Sequence, residues 1–288
     1  MTTVRFAVFT VSTPELSPEE AVRTFADVGY QGVEWRVIDQ QPSPSGEPGF
    51  WSGNRCTLPL STFVADAPRI KALAEQAGLE TINVGAYAMC SELFDVEQVL
   101  KGAQLLGAPS ARVRVPRYDG SGSYRQARDR AEGQFKDVEA LAQRYGIRAI
   151  IETHPDTILP SASAVASFLA PFDPRWTGAL WDPGNMVKEG YEQYRLGLEA
   201  LGPYLAHVQI KNAAWRQVST GWEFQWAPLN DGMVNVASVF ETLRAVGYDG
   251  WISCEDFSTT QPLVDRLRTN LSYLQLLEQF RVGSPIQR

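Results

Sequence analysis

The sequence predicts an α/β protein built as a single (β/α)8 barrel of the TIM-barrel type. Eight β-rich segments alternate with eight amphipathic segments, glycines follow five of the predicted helices, and 288 residues divide into repeats of about 36. Strands that alternate with helices pair in parallel through right-handed crossovers, so an open doubly wound sheet fits the same pattern. The count of eight favours the closed barrel.

The predicted strands are short runs rich in Val and Ile, several of which end in a polar residue. They cover residues 4–10, 32–36, 79–84, 110–115, 147–152, 177–182, 206–211 and 251–255. Apolar residues at spacings of three and four predict helices at 18–28, 66–76, 96–106, 124–145, 162–169, 189–201, 236–246 and 262–280. Glycine just past a helix is the usual left-handed stop. It is expected at Gly29, Gly78, Gly107, Gly146 and Gly247.

Two segments interrupt this rhythm, and we interpret both as loop insertions in a single domain that spans residues 1–288. Segment 39–61 is rich in Pro, Gly and Ser, a composition that excludes regular structure. Segment 212–231 carries Trp215, Trp222, Phe224 and Trp226, and either a lid over a small ligand or a contact between subunits would cover them. Both follow strands, so a barrel places them at the end where active sites form.

The composition argues against several classes of protein. A formal net charge of −7, from 26 Lys and Arg against 33 Asp and Glu, disfavours nucleic-acid binding and polybasic membrane binding. We find no run of about 20 apolar residues and no basic region of a signal peptide at the start. Three cysteines that are far apart indicate a reducing compartment, so we expect a cytoplasmic protein.

The strongest chemical signal is a polar residue at the end of four strands in the second half. These residues are Glu152, Asp182, Gln209 and Glu255. A carboxylate buried after apolar residues needs an ion pair, a hydrogen-bond network or a divalent cation. Since few cations are expected near them on the strands, we favour a metal. Oxygen ligands suit Mn²⁺ or Mg²⁺, with Co²⁺ also possible.

The motifs around these residues resemble those of the xylose-isomerase-like barrels. The motifs are E-x-H at 152–154, D-P-G-N at 182–185, H-V-Q-I-K at 207–211 and C-E-D-F at 254–257. That superfamily includes sugar isomerases and epimerases, hydroxypyruvate isomerase, inosose dehydratase and endonuclease IV. The resemblance implies that Glu152, Asp182, Gln209 and Glu255 ligate the metal. It also implies a homo-oligomer, a dimer or a tetramer.

Two positions depart from the commonest pattern of the superfamily. Gln209 stands where His is more frequent, although the hydroxypyruvate-isomerase branch is similar to this chain in using Gln. Asn185 stands where the ketose 3-epimerases have a substrate-binding His, which weakens the resemblance to that branch; Asn185 stays a candidate for substrate binding.

Further candidates for substrate binding share the inward face of the predicted strands. His154, two residues after Glu152, is expected at the mouth of the site. His207 is two positions before Gln209 on the same strand and is therefore expected deeper in the barrel. It is either a core histidine or a substrate contact. Lys211 and Arg216 are the nearest cations and could hold a substrate oxyanion or carboxylate.

Glu34, at the end of the second strand, is one more acid on this face. It could bind substrate hydroxyls or position His154. The alternative is a salt bridge with Arg36 or Arg114.

The resemblance implies a metal-dependent isomerase or epimerase of a ketose or keto-sugar. Glu152 and Glu255 would move the proton through a metal-stabilised cis-enediolate. The alternative is a lyase, a dehydratase or a C-/O-deglycosidase, acting on a 3-keto-sugar or inosose. A DNA-repair endonuclease is disfavoured by two histidines and the net charge of −7, and a non-catalytic sugar-binding barrel is the remaining alternative.

Overall fold

A computed structural model describes residues 4–279 of the chain as a closed barrel of parallel strands surrounded by helices. The strands are β1 Arg5–Phe9, β2 Gly32–Val37, β3 Glu80–Ala86, β4 Ser110–Arg112, β5 Arg148–Glu152, β6 Thr177–Trp181, β7 Leu205–Ile210, β8 Asn212–Val218, β9 Gly221–Ala227 and β10 Trp251–Cys254. The barrel runs β1-β10-β7-β6-β5-β4-β3-β2 and closes on β1. The (β/α)8 fold is confirmed.

Eight helices cover the outside of the barrel in the described part of the chain. They are α1 Pro18–Val28, α2 Phe63–Gln76, α3 Leu93–Leu106, α4 Tyr124–Tyr145, α5 Ala162–Leu169, α6 Tyr194–Leu201, α7 Val236–Ala245 and α8 Leu263–Gln279. The predicted end of the last helix, Phe280, lies outside the described residues. No helix within 4–279 is both long and apolar enough to cross a membrane.

Helix α1 shows how local sequence sets these boundaries. The Ser17 hydroxyl accepts from the Glu20 backbone N–H, and the Glu20 carboxylate accepts from the Ser17 backbone N–H, which satisfies two free donors of the first turn. Gly29 ends the helix with a φ of 106°, a left-handed conformation that glycine adopts without strain. The apolar face of the helix packs onto the barrel.

The predicted start of the sixth helix at residue 189 is wrong, because the helix begins at Tyr194. Gly190 has a φ of 79°, and a Cβ there would lie 2.1 Å from the carbonyl oxygen of Pro160. This close contact between two backbone segments keeps residues 189–193 out of the helix.

The two insertions differ in structure. Segment 39–61 has no regular strand, as predicted, and Leu58 forms an isolated bridge with Val37. Segment 212–231 was expected to be an irregular loop, but its first part is the antiparallel hairpin β8–β9. The side chain of Asn212 fixes the base of the hairpin through hydrogen bonds with the backbone of Leu229, Val234 and Ala213. The alternation of Trp222, Phe224 and Trp226 was the overlooked strand signal.

Candidate metal centre and active site

Three carboxylates converge at the carboxyl end of the barrel. Glu152 ends β5, Asp182 follows β6 and Glu255 follows β10, and all three are buried. One oxygen of each lies within 4.8 Å of the others. Parallel strands bring their carboxyl ends to the same rim, so residues distant in sequence meet there.

Two cations lie among these carboxylates. The Lys211 ammonium is 2.7 Å from Asp182 Oδ2 and 4.0 Å from Glu152 Oε1, and it contacts Glu255 Oε2. Arg112, at the end of β4, binds Glu152 through Nη1. The expectation of few nearby cations is therefore wrong, because both side chains point inward. Two cations thus lie among three carboxyl groups in this buried cluster.

The environments of the three carboxyl groups differ. Burial, reinforced by the other carboxylates, raises the pKa of Glu255 to about 8 and that of Asp182 to about 6. Burial also raises the pKa of Glu152, but the charges of Arg112, His154 and Lys211 and the hydrogen bond from Asn185 together outweigh burial and lower this pKa to about 2. The same carboxylates raise the pKa of Lys211 against the effect of its burial. Carboxyl groups with such different pKa values are typical of acid–base sites.

Gln209 lies on β7, the strand between β6 and β10, which Asp182 and Glu255 follow. Its Nε2 donates to Glu34 Oε1 at 2.9 Å, and its Oε1 is buried without a hydrogen-bond partner among the described residues. Glu34 also accepts from Asn83 Nδ2 at 2.8 Å and lies 3.0 Å from His207 Nε2. Glu34 thus fixes the Gln209 amide so that its oxygen remains available.

This donor set fits a hard divalent cation. Three carboxylates close to one another supply oxygen atoms of the kind that such a cation prefers, and Gln209 Oε1, which has no partner among the described residues, stays the predicted fourth ligand. Three buried carboxyl groups this close repel one another when all are ionised, and a divalent cation would relieve that repulsion. The cluster could therefore hold a metal ion.

A cavity of about 200 Å³ opens onto two of these carboxylates, Glu152 and Glu255. Its lining residues are Trp51, Tyr87, Arg112, Arg114, Glu152, His154, Asn185, Lys211, Trp226, Glu255 and Phe257. Trp51 and Trp226 each contact Phe257, with ring centroids 5.0 Å apart. Both insertions thus contribute one tryptophan to an aromatic wall, although Trp222 at the hairpin tip is exposed.

Three of the predicted substrate-binding residues line this cavity. His154 contacts the carbonyl of Pro155 through Nδ1 at 2.7 Å, and burial lowers its pKa. Asn185 donates through Nδ2 to Glu152 Oε1 at 2.8 Å, which orients that carboxylate. Lys211 is the third.

The other three predicted substrate-binding residues do not line the cavity. Glu34 and His207 are buried and contact each other, so Glu34 pairs with neither Arg36 nor Arg114. Arg216 lies on the exposed hairpin and contacts Asp231 instead. Arg216 is not among the residues that line the cavity, and its role in substrate binding stays a prediction.

Arg114, Tyr87 and Trp51 are cavity residues that the sequence prediction missed. The available signal was the alternation Arg112-Val113-Arg114-Val115, which places two arginines on one face of an extended segment. Trp51 gives no such signal because it lies in an irregular segment.

Comparison with known families agrees with this geometry. Residues 22–277 match the family model described as xylose isomerase-like TIM barrel. The chain belongs to this family. The matched residues include all four expected metal ligands.

Two curated relatives, both inosose dehydratases, are similar to part of this xylose isomerase-like barrel. The protein from Bacillus licheniformis is 29% identical over 127 residues, which are 40% of this chain and 42% of the relative. The protein from Lactiplantibacillus plantarum is 28% identical over 138 residues, 43% and 45% of the two chains. The aligned segment thus spans less than half of each relative.

Solved structures with the same fold cover nearly the whole chain. A 3-keto-D-glucoside 4-epimerase from E. coli has a TM-score of 0.72 at 15% identity and covers 95% of this chain and 99% of its own. A D-allulose 3-epimerase from Methylomonas sp. has a TM-score of 0.71 at 16% identity, with 96% and 99% covered. A probable 3-DHS dehydratase from Bacillus anthracis has a TM-score of 0.72 at 15% identity, with 94% and 99% covered. At these identities the likeness shows the fold alone.

Proposed function

We propose that this protein is a divalent-metal-dependent isomerase or epimerase of a small keto-sugar. It removes a proton from the carbon next to the carbonyl group and delivers a proton back to the sugar. The main support is that Glu152 and Glu255 line the same cavity. They come from β5 and β10, which β6 and β7 separate in the barrel. A ligand between them meets a carboxylate on two sides, so one can remove a proton and the other can deliver one.

The neighbouring side chains prepare these two carboxylates. Arg112 keeps Glu152 ionised, and Asn185 orients its other oxygen. Burial keeps the pKa of Glu255 near neutrality, where a carboxyl group exchanges protons readily. Return of the proton to the same carbon gives an epimer, and delivery to the former carbonyl carbon gives an isomer.

The proposed metal ligands are Glu152, Asp182, Gln209 and Glu255. The bound ion, Mn²⁺ first with Mg²⁺ or Co²⁺ as alternatives, would polarise the carbonyl as a Lewis acid. His154 and Lys211 line the cavity and would bind substrate oxygens. The aromatic wall would exclude water from the reacting carbon.

A dehydratase is the second candidate, and the similarity to two inosose dehydratases favours it. Loss of a hydroxyl group would begin with the same proton removal. The deglycosidase alternative loses support, because a cavity of about 200 Å³ is smaller than the usual pocket for a drug-sized ligand and leaves little room for an aglycone beside a sugar.

Solvent deuterium exchange tests the proposal. The purified protein is incubated in D₂O with Mn²⁺ and D-fructose, D-tagatose or an inosose, and the products are followed by NMR. Deuterium uptake without loss of a group supports the isomerase or epimerase, whereas an enone identifies the dehydratase.

Variants assign the exchange to the two glutamates. Glu152→Gln and Glu255→Gln should each lower the exchange rate by a factor on the order of 10²–10⁴. Glu199→Gln, on the exposed face of α6, is the matched control and should leave the rate unchanged. Full exchange in both site variants contradicts the proposal.

The proposed partners, cellular location and oligomeric state rest on the net charge, the cysteines and the family resemblance. A small sugar is the proposed substrate, and a net charge of −7 supports the absence of a nucleic-acid partner. The three cysteines are free and buried, which is compatible with the proposed cytoplasmic location. A homodimer or tetramer remains a proposal from the family resemblance.

A further inference from the structure

Arg114 is held at the mouth of the barrel by its backbone. Its N–H donates to the carbonyl of Ala88, and its own carbonyl accepts from the N–H of Cys90, both at 2.8–2.9 Å. These bonds extend the contact between β3 and β4 beyond the last residue of β4. Arg114 therefore follows Arg112 on the same face, and both side chains line the cavity.

The guanidinium of Arg114 has no carboxylate partner within 4.0 Å among residues 4–279, unlike that of Arg112 or of Arg117. Its nearest aromatic neighbour is Tyr87, whose ring centroid is 5.4 Å from Arg114 Cζ. Partial burial, together with the charge of Arg112, lowers the pKa of Arg114. A partly buried cation without a counter-charge is unfavourable, and an anion in the cavity would relieve it.

Arg112 offers a second free donor in the same place. Its Nη1 binds Glu152 and its Nε donates to the carbonyl of Ala86 at 3.0 Å. Its Nη2 is buried and has no hydrogen-bond partner in the described structure. Arg112 Cζ lies 4.5 Å from the centroid of the Tyr87 ring, so both guanidinium groups face the same aromatic side chain.

The volume of the cavity limits the size of the molecule that carries this anion. About 200 Å³ equals the liquid volume of roughly seven water molecules, which is enough for one monosaccharide but leaves little room for a bulky substituent. A planar carboxylate adds little volume and matches the planar fork of a guanidinium.

We propose that Arg114, together with the free Nη2 of Arg112, binds a carboxylate of the substrate. The substrate class is then a monosaccharide-sized hydroxy-ketone that carries one carboxylate, such as a keto-uronate. This inference rests on the proposed function, because the ketone must reach Glu152 and Glu255 while the carboxylate contacts Arg114.

Binding of three ligands that differ only at C6 tests the proposal. D-Fructuronate, D-fructose and D-fructose 6-phosphate are titrated into the Mn²⁺-treated protein by calorimetry. D-Fructuronate should bind at least tenfold more tightly than D-fructose, since a hydrogen bond to a charged group is stronger than one between neutral groups. Equal affinities for these two, or tightest binding of the phosphate, overturn the carboxylate assignment.

Two arginine variants locate the effect. Arg114→Gln should reduce the preference for D-fructuronate to less than threefold, and Arg114→Lys should restore part of it. Arg117→Gln is the matched control, because Arg117 is three residues further on, exposed, and paired with Asp156. A preference that survives in Arg114→Gln, or that disappears equally in Arg117→Gln, overturns the proposal.

Deuterium exchange separates this proposal from the proposed function. Exchange of the proton of D-fructose by the wild-type protein reports on Glu152 and Glu255 alone, because D-fructose carries no carboxylate. Exchange without a preference for D-fructuronate overturns the carboxylate site alone. A preference for D-fructuronate, without deuterium exchange into D-fructuronate or D-fructose, overturns the proposed function alone.

Discussion

At the residue scale, the charge balance of the acidic cluster depends on Lys211. Its ammonium contacts both Asp182 and Glu255, and the side chain is almost fully buried. Without it, the salt bridge of Arg112 with Glu152 would be the one left to these three carboxylates among the described residues, and Asp182 and Glu255 would have none. Lys211 therefore stabilises the cluster, and it also occupies oxygens that a divalent ion would need.

Replacement of Lys211 by Met tests this dual role. Lys211→Met should bind Mn²⁺ at least tenfold more tightly than the wild type in calorimetry, because a competing cation is removed. The metal-free variant should be less stable by about 3–5 kcal/mol, since removal of one partner leaves buried charges uncompensated. Lys188→Met, which removes an exposed partner of Asp156, is the control. Weaker Mn²⁺ binding in Lys211→Met contradicts this role.

At the element scale, the turn after β6 has to leave space for the Lys211 side chain. A Cβ at Gly184 would lie 2.3 Å from Lys211 Cγ and 2.8 Å from the Lys211 carbonyl oxygen. The backbone of Gly184 has a φ of −67°, so the need for glycine here is steric and not conformational. The turn carries Asp182 and Asn185, so a change at Gly184 affects two site residues directly.

A methyl group at Gly184 should therefore disturb the site. Gly184→Ala should lower the free energy of unfolding by about 1–3 kcal/mol through overpacking and should weaken Mn²⁺ binding. Gly133→Ala is the control, because Gly133 is exposed within α4 and a Cβ there contacts nothing within 4 Å. This control should stabilise the protein by about 0.5–1 kcal/mol. Chemical denaturation measures both, and a neutral Gly184→Ala contradicts the steric argument.

At the scale of the whole molecule, the closed barrel brings three carboxyl groups that repel one another to the same rim. Closure of the sheet brings Glu152, Asp182 and Glu255 together from three strands, so folding itself creates the buried negative charge. A cation that binds this cluster binds the folded protein and not the unfolded chain. Metal binding and stability are therefore linked.

Thermal unfolding measures this linkage. Mn²⁺ at a hundred times its dissociation constant should stabilise the protein by about 2.7 kcal/mol, which raises Tm by roughly 4–5 °C for a domain of this size. EDTA should reverse the shift, and the double variant Glu152→Gln/Asp182→Asn should lose it. An equal shift in this variant shows that the ion binds elsewhere.

The fold and the acidic residues could be predicted because both depend on local patterns. Apolar spacing and the glycine stops indicate the barrel, and Glu152, Asp182 and Glu255 each end an apolar run that the fold directs to one rim. The insertion at 212–231 was predicted, but the hairpin within it was not, because the prediction rested on the aromatic content of the segment and not on the alternation of its side chains. The contact of Arg216 with Asp231 could not be predicted, because nearness in sequence does not give the partner of a side chain on a hairpin.

The sequence by itself determined the repeat, the strand ends and therefore the family of this protein. The tertiary structure alone decided the partners of each charge: Arg112 on Glu152, Lys211 between Asp182 and Glu255, and Glu34 on Gln209, 175 residues away. The physical reason is that periodicity gives the direction of a side chain, whereas its partner depends on which strands closure brings face to face across the barrel.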